Sequence, residues 1–156
     1  MGTFLVSIEV AKPTGRPQFM RILRVLVDTG SEMSWIAVDV LRSLKINVRK
    51  KDQAFVMANG QHISRDIGYA IIRCGEFETI DEVVFAQPGD LQLLGARTLE
   101  GFNATIDPRR KRLVAAGPMP AARSTSCPKH AVWRRTAEAL RRTPRAARRV
   151  SSQPGG

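Results

Sequence analysis

Cysteine is scarce in this 156-residue chain: Cys74 and Cys127 are its only thiols, and they lie far apart. Two unclustered thiols point to a reducing compartment and away from a disulfide framework. His62 and His130 are the only histidines, and with the two cysteines they give no metal-ligand spacing, so neither metal nor cofactor is expected. No run approaches the roughly 20 apolar residues that span a bilayer. The start, "MGTFLVSIEVAKP", lacks the positive leader and long apolar run of a signal peptide. Val6 stands where a myristoylation signal has Ser or Thr. The expectation is a soluble, cytoplasmic protein with no membrane partner.

Charge is abundant but uneven. The net charge is +11, yet residues 1–117 hold 16 Lys or Arg against 13 Asp or Glu, whereas residues 118–156 hold 9 against 1. The front is a near-neutral globular sequence, and the basic character belongs to the tail. Length fits one domain of ordinary size. The expected organisation is a domain over 1–117 and a basic Ala/Arg/Pro-rich tail over 118–156, mostly disordered because the helical pattern of "HAVWRRTAEALRRT" has too little apolar surface to fold alone.

Within 1–117 the pattern is β. Phe4, Val6, Ile8 and Val10 alternate with Leu5, Ser7 and Glu9. "KPTGRP" is a loop, and Phe19 to Val27 returns as a second strand. Val38, Leu41 and Leu44 set a short helix over about 38–44. Asn59-Gly60 is the strongest hairpin signal and predicts a type I′ turn, with positive φ at both residues. Gly68 is expected to interrupt a strand that Tyr69 to Arg73 continues. Cys74-Gly75-Glu76 and Pro88-Gly89-Asp90 read as turns, Val83 to Phe85 and Leu91 to Leu94 as short strands. Ala96 to Glu100 reads as a helix ended by Gly101, and "ATID" and "RLVAA" as a last hairpin. This is an all-β domain with two short helices.

One stretch, "RVLVDTGSEMSWI" (24–36), poses a chemical problem. An apolar, β-branched strand runs into Asp28, and a carboxylate near a core is costly unless hydrogen-bonded or sharing a proton. Asp-Thr-Gly alone is common in turns. Here the residues around it have the means to hold the acid. Gly30 brings its N–H close because no side chain intervenes, and Ser31 has a hydroxyl to donate.

"LVDTGS" resembles the active-site motif of the retropepsin-like aspartic proteases, single-domain relatives of pepsin. "VMANGQH" is similar to their flap hairpin, "LQLLGARTLEGF" to their apolar-apolar-Gly strand and following helix, and "ATIDPRRKRLV" to their closing strands, all in the family's order. The last two stretches look most like bacterial members, and the resemblance spans about residues 3–117. It implies an acid-protease barrel and an aspartic endopeptidase. Such enzymes need two aspartates sharing one proton, and this chain has one Asp-Thr-Gly, so the resemblance implies a homodimer in which two copies of Asp28 meet. It further implies that Thr29 bonds the partner's backbone beneath the dyad and that Gly30 lies under a bound peptide. Met57, Ala58, Asn59 and Gly60 would form the flap tip, Trp35 and Ile36 would wall apolar pockets, and Ser31 and Glu32 would lie along the substrate.

Departures from the family matter too. Ser31 replaces the alanine of viral members and is more like pepsin. The helix starts Gly95-Ala96, which puts Arg97 one place later than the viral arginine and out of step with the viral ion pair to Glu32. The flap tip has one glycine, and Trp35 replaces a smaller residue. Two other readings follow from the same residues. One is a catalytically silent, protease-like peptide-binding scaffold. The other is a basic tail that contacts nucleic acid through phosphates, although no reading motif accompanies it and nucleic acid is not an expected partner.

Overall fold

The backbone follows from the alternation just described, with the fold built on seven hydrogen-bonded strands. The computed structural model describes residues 4–119. In chain order it contains β1 (Phe4–Ala11), β2 (Met20–Val27), β3 (Ser34–Ala37), α1 (Val38–Ser43), β4 (Val48–Val56), β5 (His62–Cys74), β6 (Phe77–Ala86), β7 (Leu93–Leu94), α2 (Ala96–Gly101), β8 (Ala104–Asp107) and β9 (Arg112–Ala115). The described part is mostly β, with two six-residue helices. The readings made for the tail lie outside the described residues. Among the described residues no helix is long and apolar enough to cross a membrane.

The large sheet runs β1-β2-β7-β3-β6-β5-β4, and β1 also pairs with β5. That extra pairing closes six strands on themselves and leaves β4 outside the ring. β5 makes this possible by its length: residues 62–68 pair with β4, while Ile71 to Arg73 pair with β1. β2–β7 and β3–β6 are parallel, and the other pairings in the sheet are antiparallel. β8 and β9 form a separate hairpin.

Alternation sorts the side chains onto two faces. Ile8, Val10, Val25, Ile36, Leu41, Ile72, Val83 and Leu94 fill the main core. Trp35, Ile67, Val84 and Ala86 build a smaller cluster on the opposite face, with Phe55 and Leu93 packed against it. Consecutive residues thus part company: Trp35 belongs to the second cluster and Ile36 to the first.

Four expectations need correcting. Asn59-Gly60 does not make a type I′ turn, because Asn59 is not among the residues with positive φ. Gly60 alone is (+80°), Gly60 N–H donates to the Met57 carbonyl (2.8 Å), and Met57 N–H donates to Gln61 (2.8 Å). This is the three-residue loop, a type I turn closed by a left-handed glycine. Gly68 does not interrupt β5; it is a crossing point, where an added Cβ would lie 2.8 Å from the Asn47 carbonyl oxygen and 2.9 Å from Phe85. Gly101 is helical and leaves room for Thr79, while Asn103 (φ +50°) takes the left-handed position after α2. Finally, β6 starts at Phe77, well before the expected Val83.

Gly68→Ala is therefore expected to destabilise the fold by about 1–3 kcal/mol through overpacking, not through backbone conformation. Equilibrium denaturation by urea measures this, with an unchanged slope showing that the folded topology is kept.

Candidate active site

Asp28 sits where β2 ends. Val27 is buried and pairs with Leu94, and Asp28 N–H continues that parallel ladder by donating to the Leu94 carbonyl (3.0 Å). Beyond it the chain leaves the sheet, with Thr29 and Gly30 exposed and Asp28 itself partly buried. Gly30 N–H donates to Asp28 Oδ1 at 2.9 Å, as the small residue allows, and a Cβ there would come within 3.2 Å of the same oxygen. Ser31 behaves differently from expectation. Its hydroxyl donates to the Met33 carbonyl (3.0 Å) and thus stiffens the loop instead of bonding the carboxylate. Among the described residues no Lys or Arg forms an ion pair with Asp28.

Two apolar surfaces flank this acid. Strand register places Leu5, Leu26, Leu93, Trp35, Val84 and Ile67 in one row across the sheet. Period-two alternation puts Asp28 on the same side as Leu26. The second surface is an open groove of about 750 Å³ lined by Val27, Asp28, Ala96, Leu99, Ala104 and Ile106. Leu26 and Leu93 were not singled out by sequence reasoning; the signal was there in their parity, Leu26 standing two residues before the acid.

The other anticipated residues divide. Trp35 packs edge-on against Phe55 of β4, with ring centroids 5.1 Å apart, and so anchors the hairpin arm to the sheet. Ile36 has no exposed surface and lies in the main core; it backs the sheet and does not wall a pocket. Met57, Ala58, Asn59 and Gly60 occupy the exposed hairpin tip, where Asn59 Oδ1 accepts from Gln61 N–H (2.9 Å). Glu32 is exposed. Arg97 turns away from its side chain to Glu82 (3.0 Å) and Asp81 (3.6 Å), while Lys50 joins Glu82 from β4 (2.6 Å). Hydrogen bonds from Lys50 and Arg97 outweigh burial and hold the Glu82 carboxyl below its ordinary pKa. Cys74 is half-buried, and desolvation pushes its thiol up, which does not favour a nucleophile.

A second pair ties the hairpin to the site. Arg65 of β5 donates from Nε and Nη2 to Asp90 Oδ2 and Oδ1 (2.7 and 2.9 Å), in the turn that leads to Leu93. Asp90 also accepts from Gln87 N–H (2.8 Å). Among the described residues no cluster of three His, Cys, Asp or Glu is arranged to hold a metal. Comparison of the chain with protein-family models returns no match, and comparison with curated proteins returns none that is significant.

The Arg65 hydrogen bonds, stronger than the opposing desolvation, hold the Asp90 carboxyl below its ordinary value. A depressed carboxylate contributes stability above its unfolded pKa and loses it as pH falls through the folded one. Asp90→Asn is thus expected to cost about 1 kcal/mol near neutral pH. Its deficit against the wild type should shrink progressively below about pH 4, as followed by thermal denaturation across a pH series.

Proposed function

We propose that this chain is a retropepsin-like aspartic endopeptidase, active as a homodimer whose two Asp28 carboxylates share one proton. The observation that carries this reading is the setting of Asp28. It directly follows the buried Val27 at the end of a half-buried strand, is held by a glycine N–H, and has largely apolar surface on both sides and no cationic partner among the described residues. A neighbouring Arg or Lys would fix such an acid in its ionised form. With one hydrogen bond, from Gly30, and no cation, the Asp28 carboxyl can be met by a second carboxyl without a cation being displaced.

In the proposed reaction one carboxylate takes a proton from water while the other, protonated, polarises the peptide carbonyl. Two carboxylates about 3 Å apart cannot both ionise, which keeps one proton in the pair. The apparent pKa values then belong to the dyad. The row formed by Leu26, Leu93 and Trp35 would receive apolar side chains of the substrate. The 57–60 tip would cover the peptide and exclude water. The groove along α2 and β8, which reaches Asp28 from the other side, would seat the second copy, with exposed Thr29 available to the partner's backbone.

A diverse peptide library, incubated with wild type and with Asp28→Asn, tests the proposal when sedimentation is followed in parallel. Dimers and cleavage by the wild type are expected, with activity reduced by at least about a thousandfold and circular dichroism unchanged in the variant. Binding without cleavage in both proteins would favour the scaffold reading, and a strict monomer would refute the dyad.

A further inference from the structure

We infer that Ser34 and Thr98 are positioning residues for Asp28, acting through a one-way chain of hydrogen bonds that fastens residues 28–34 to the start of α2. The catalytic consequence rests on the protease reading; the geometric one stands without it.

Ser34 and Thr98 are fully buried, and no other polar side chain among the described residues is buried to that degree. They are 64 positions apart in sequence, yet their hydroxyl oxygens lie 2.6 Å from each other. The direction of every proton is determined. Thr98 Oγ1 donates to Asp81 Oδ2 (2.8 Å), since the carboxylate has only lone pairs to offer. With its single proton committed, Thr98 must accept from Ser34. Ser34 in turn accepts from the N–H of Gly95 (2.9 Å). The chain of donors therefore runs from Gly95 through Ser34 and Thr98 to Asp81. Asp81 keeps independent support from Glu82 N–H (2.7 Å) and from Arg97.

The beginning of this chain explains its purpose. Gly95 lies so close to residues 32–33 that a Cβ would stand 2.5 Å from the Met33 carbonyl carbon and oxygen. No side chain at position 95 could cap its own helix there, and without Ser34 the Gly95 N–H would be a buried donor lacking a partner, a costly state. The same close approach sets the next two bonds, Ala96 N–H to the Ser31 carbonyl (2.8 Å) and Arg97 N–H to the Glu32 carbonyl (3.0 Å). Residues 31 and 32 directly follow the Gly30 whose N–H holds Asp28. A slackened seam would thus displace the carboxylate without touching it.

The test uses the full chain with four variants: Thr98→Val, Ser34→Ala, the double Ser34→Ala/Thr98→Val, and the conservative Thr98→Ser. Amide hydrogen exchange by NMR reports the seam directly. In Thr98→Val, exchange at Ala96 and Arg97 should speed by about tenfold more than at Ile72 of β5, which follows global opening. The value of kcat should fall by about ten- to a hundredfold with little change in KM, the mark of misplacement. Thr98→Ser should behave as wild type. The double variant also strips the buried Gly95 N–H of its acceptor, so it should not regain stability over Thr98→Val, and it should keep fast exchange at Ala96 and Arg97 and a low kcat. If Thr98→Val does not fold, Ser34→Ala, which leaves the Thr98–Asp81 bond in place, and Thr98→Ser decide. Wild-type exchange at Ala96 and Arg97, or wild-type kcat, in Ser34→Ala or in the double variant would overturn the inference. Absence of cleavage by the wild type itself would defeat the protease reading and leave the exchange result to judge the seam.

Discussion

Everything near Asp28 depends on one seam between two irregular backbone stretches, residues 28–34 and 94–97. The first N–H groups of a helix have no partner within it, and a loop that leaves a sheet has carbonyls in the same position. Here the two deficits cancel. α2 has no side-chain cap at Gly95, and its N–H groups at Ala96 and Arg97 bond the carbonyls of Ser31 and Glu32. A six-residue helix is too short to be stable on its own. Its role is to supply oriented donors to the loop, and tertiary packing of Leu99 and Phe102 in the main core holds it there.

Among the described residues no cation pairs with the acid, by the same economy of partners. The two ion-pair networks beside the site, Arg65–Asp90 and Lys50–Glu82–Arg97–Asp81, each close on themselves. Arg97 is the telling case. Its backbone N–H reaches the Glu32 carbonyl, but its guanidinium goes to Glu82, held there because two acids on β6 outbid one exposed Glu32. With Arg65 spent on Asp90 and with Lys50 and Arg97 spent on β6, the Asp28 side chain keeps one hydrogen bond, from the Gly30 N–H.

Much of this was legible in the sequence, and the failures share a cause. β1 and β2 were clear because one face of each is buried, and the acid was conspicuous because it ended an apolar strand. The first half of β4, with Arg49, Lys50 and Lys51, carries no alternation, since β4 lies outside the closed ring and is exposed on nearly every side chain. Gly68 and Gly101 looked like punctuation, yet both permit one element to cross another closely, a fact that belongs to the partner element and not to the local sequence. Ser34 with Thr98, and Arg65 with Asp90, are pairs between distant segments. No periodicity announces such pairs. Ile36 failed on parity alone: its neighbour Trp35 faces the candidate cleft, so Ile36 had to face the core.

The topology also grades the rigidity of the hairpin that bears the 57–60 tip. β5 is flanked by β6 from Ile67 to Cys74 and by β1 from Ile71 to Arg73, so its second half is fixed on both edges. From His62 to Asp66 it pairs with β4 only. That segment is a two-stranded ribbon, and such ribbons are marginal in water without further packing. Contacts along its length supply it: the bidentate Arg65–Asp90 pair towards the ring, and nearer the tip the edge-on Phe55–Trp35 stack with Ile63 packed on the same cluster. Beyond them Val56 through His62 are exposed. The ribbon is thus packed against the sheet as far as Phe55 and Ile63 and unsupported only from Val56 to His62, so the tip alone lacks contacts that would restrain it while the strand that meets the apolar row keeps its register.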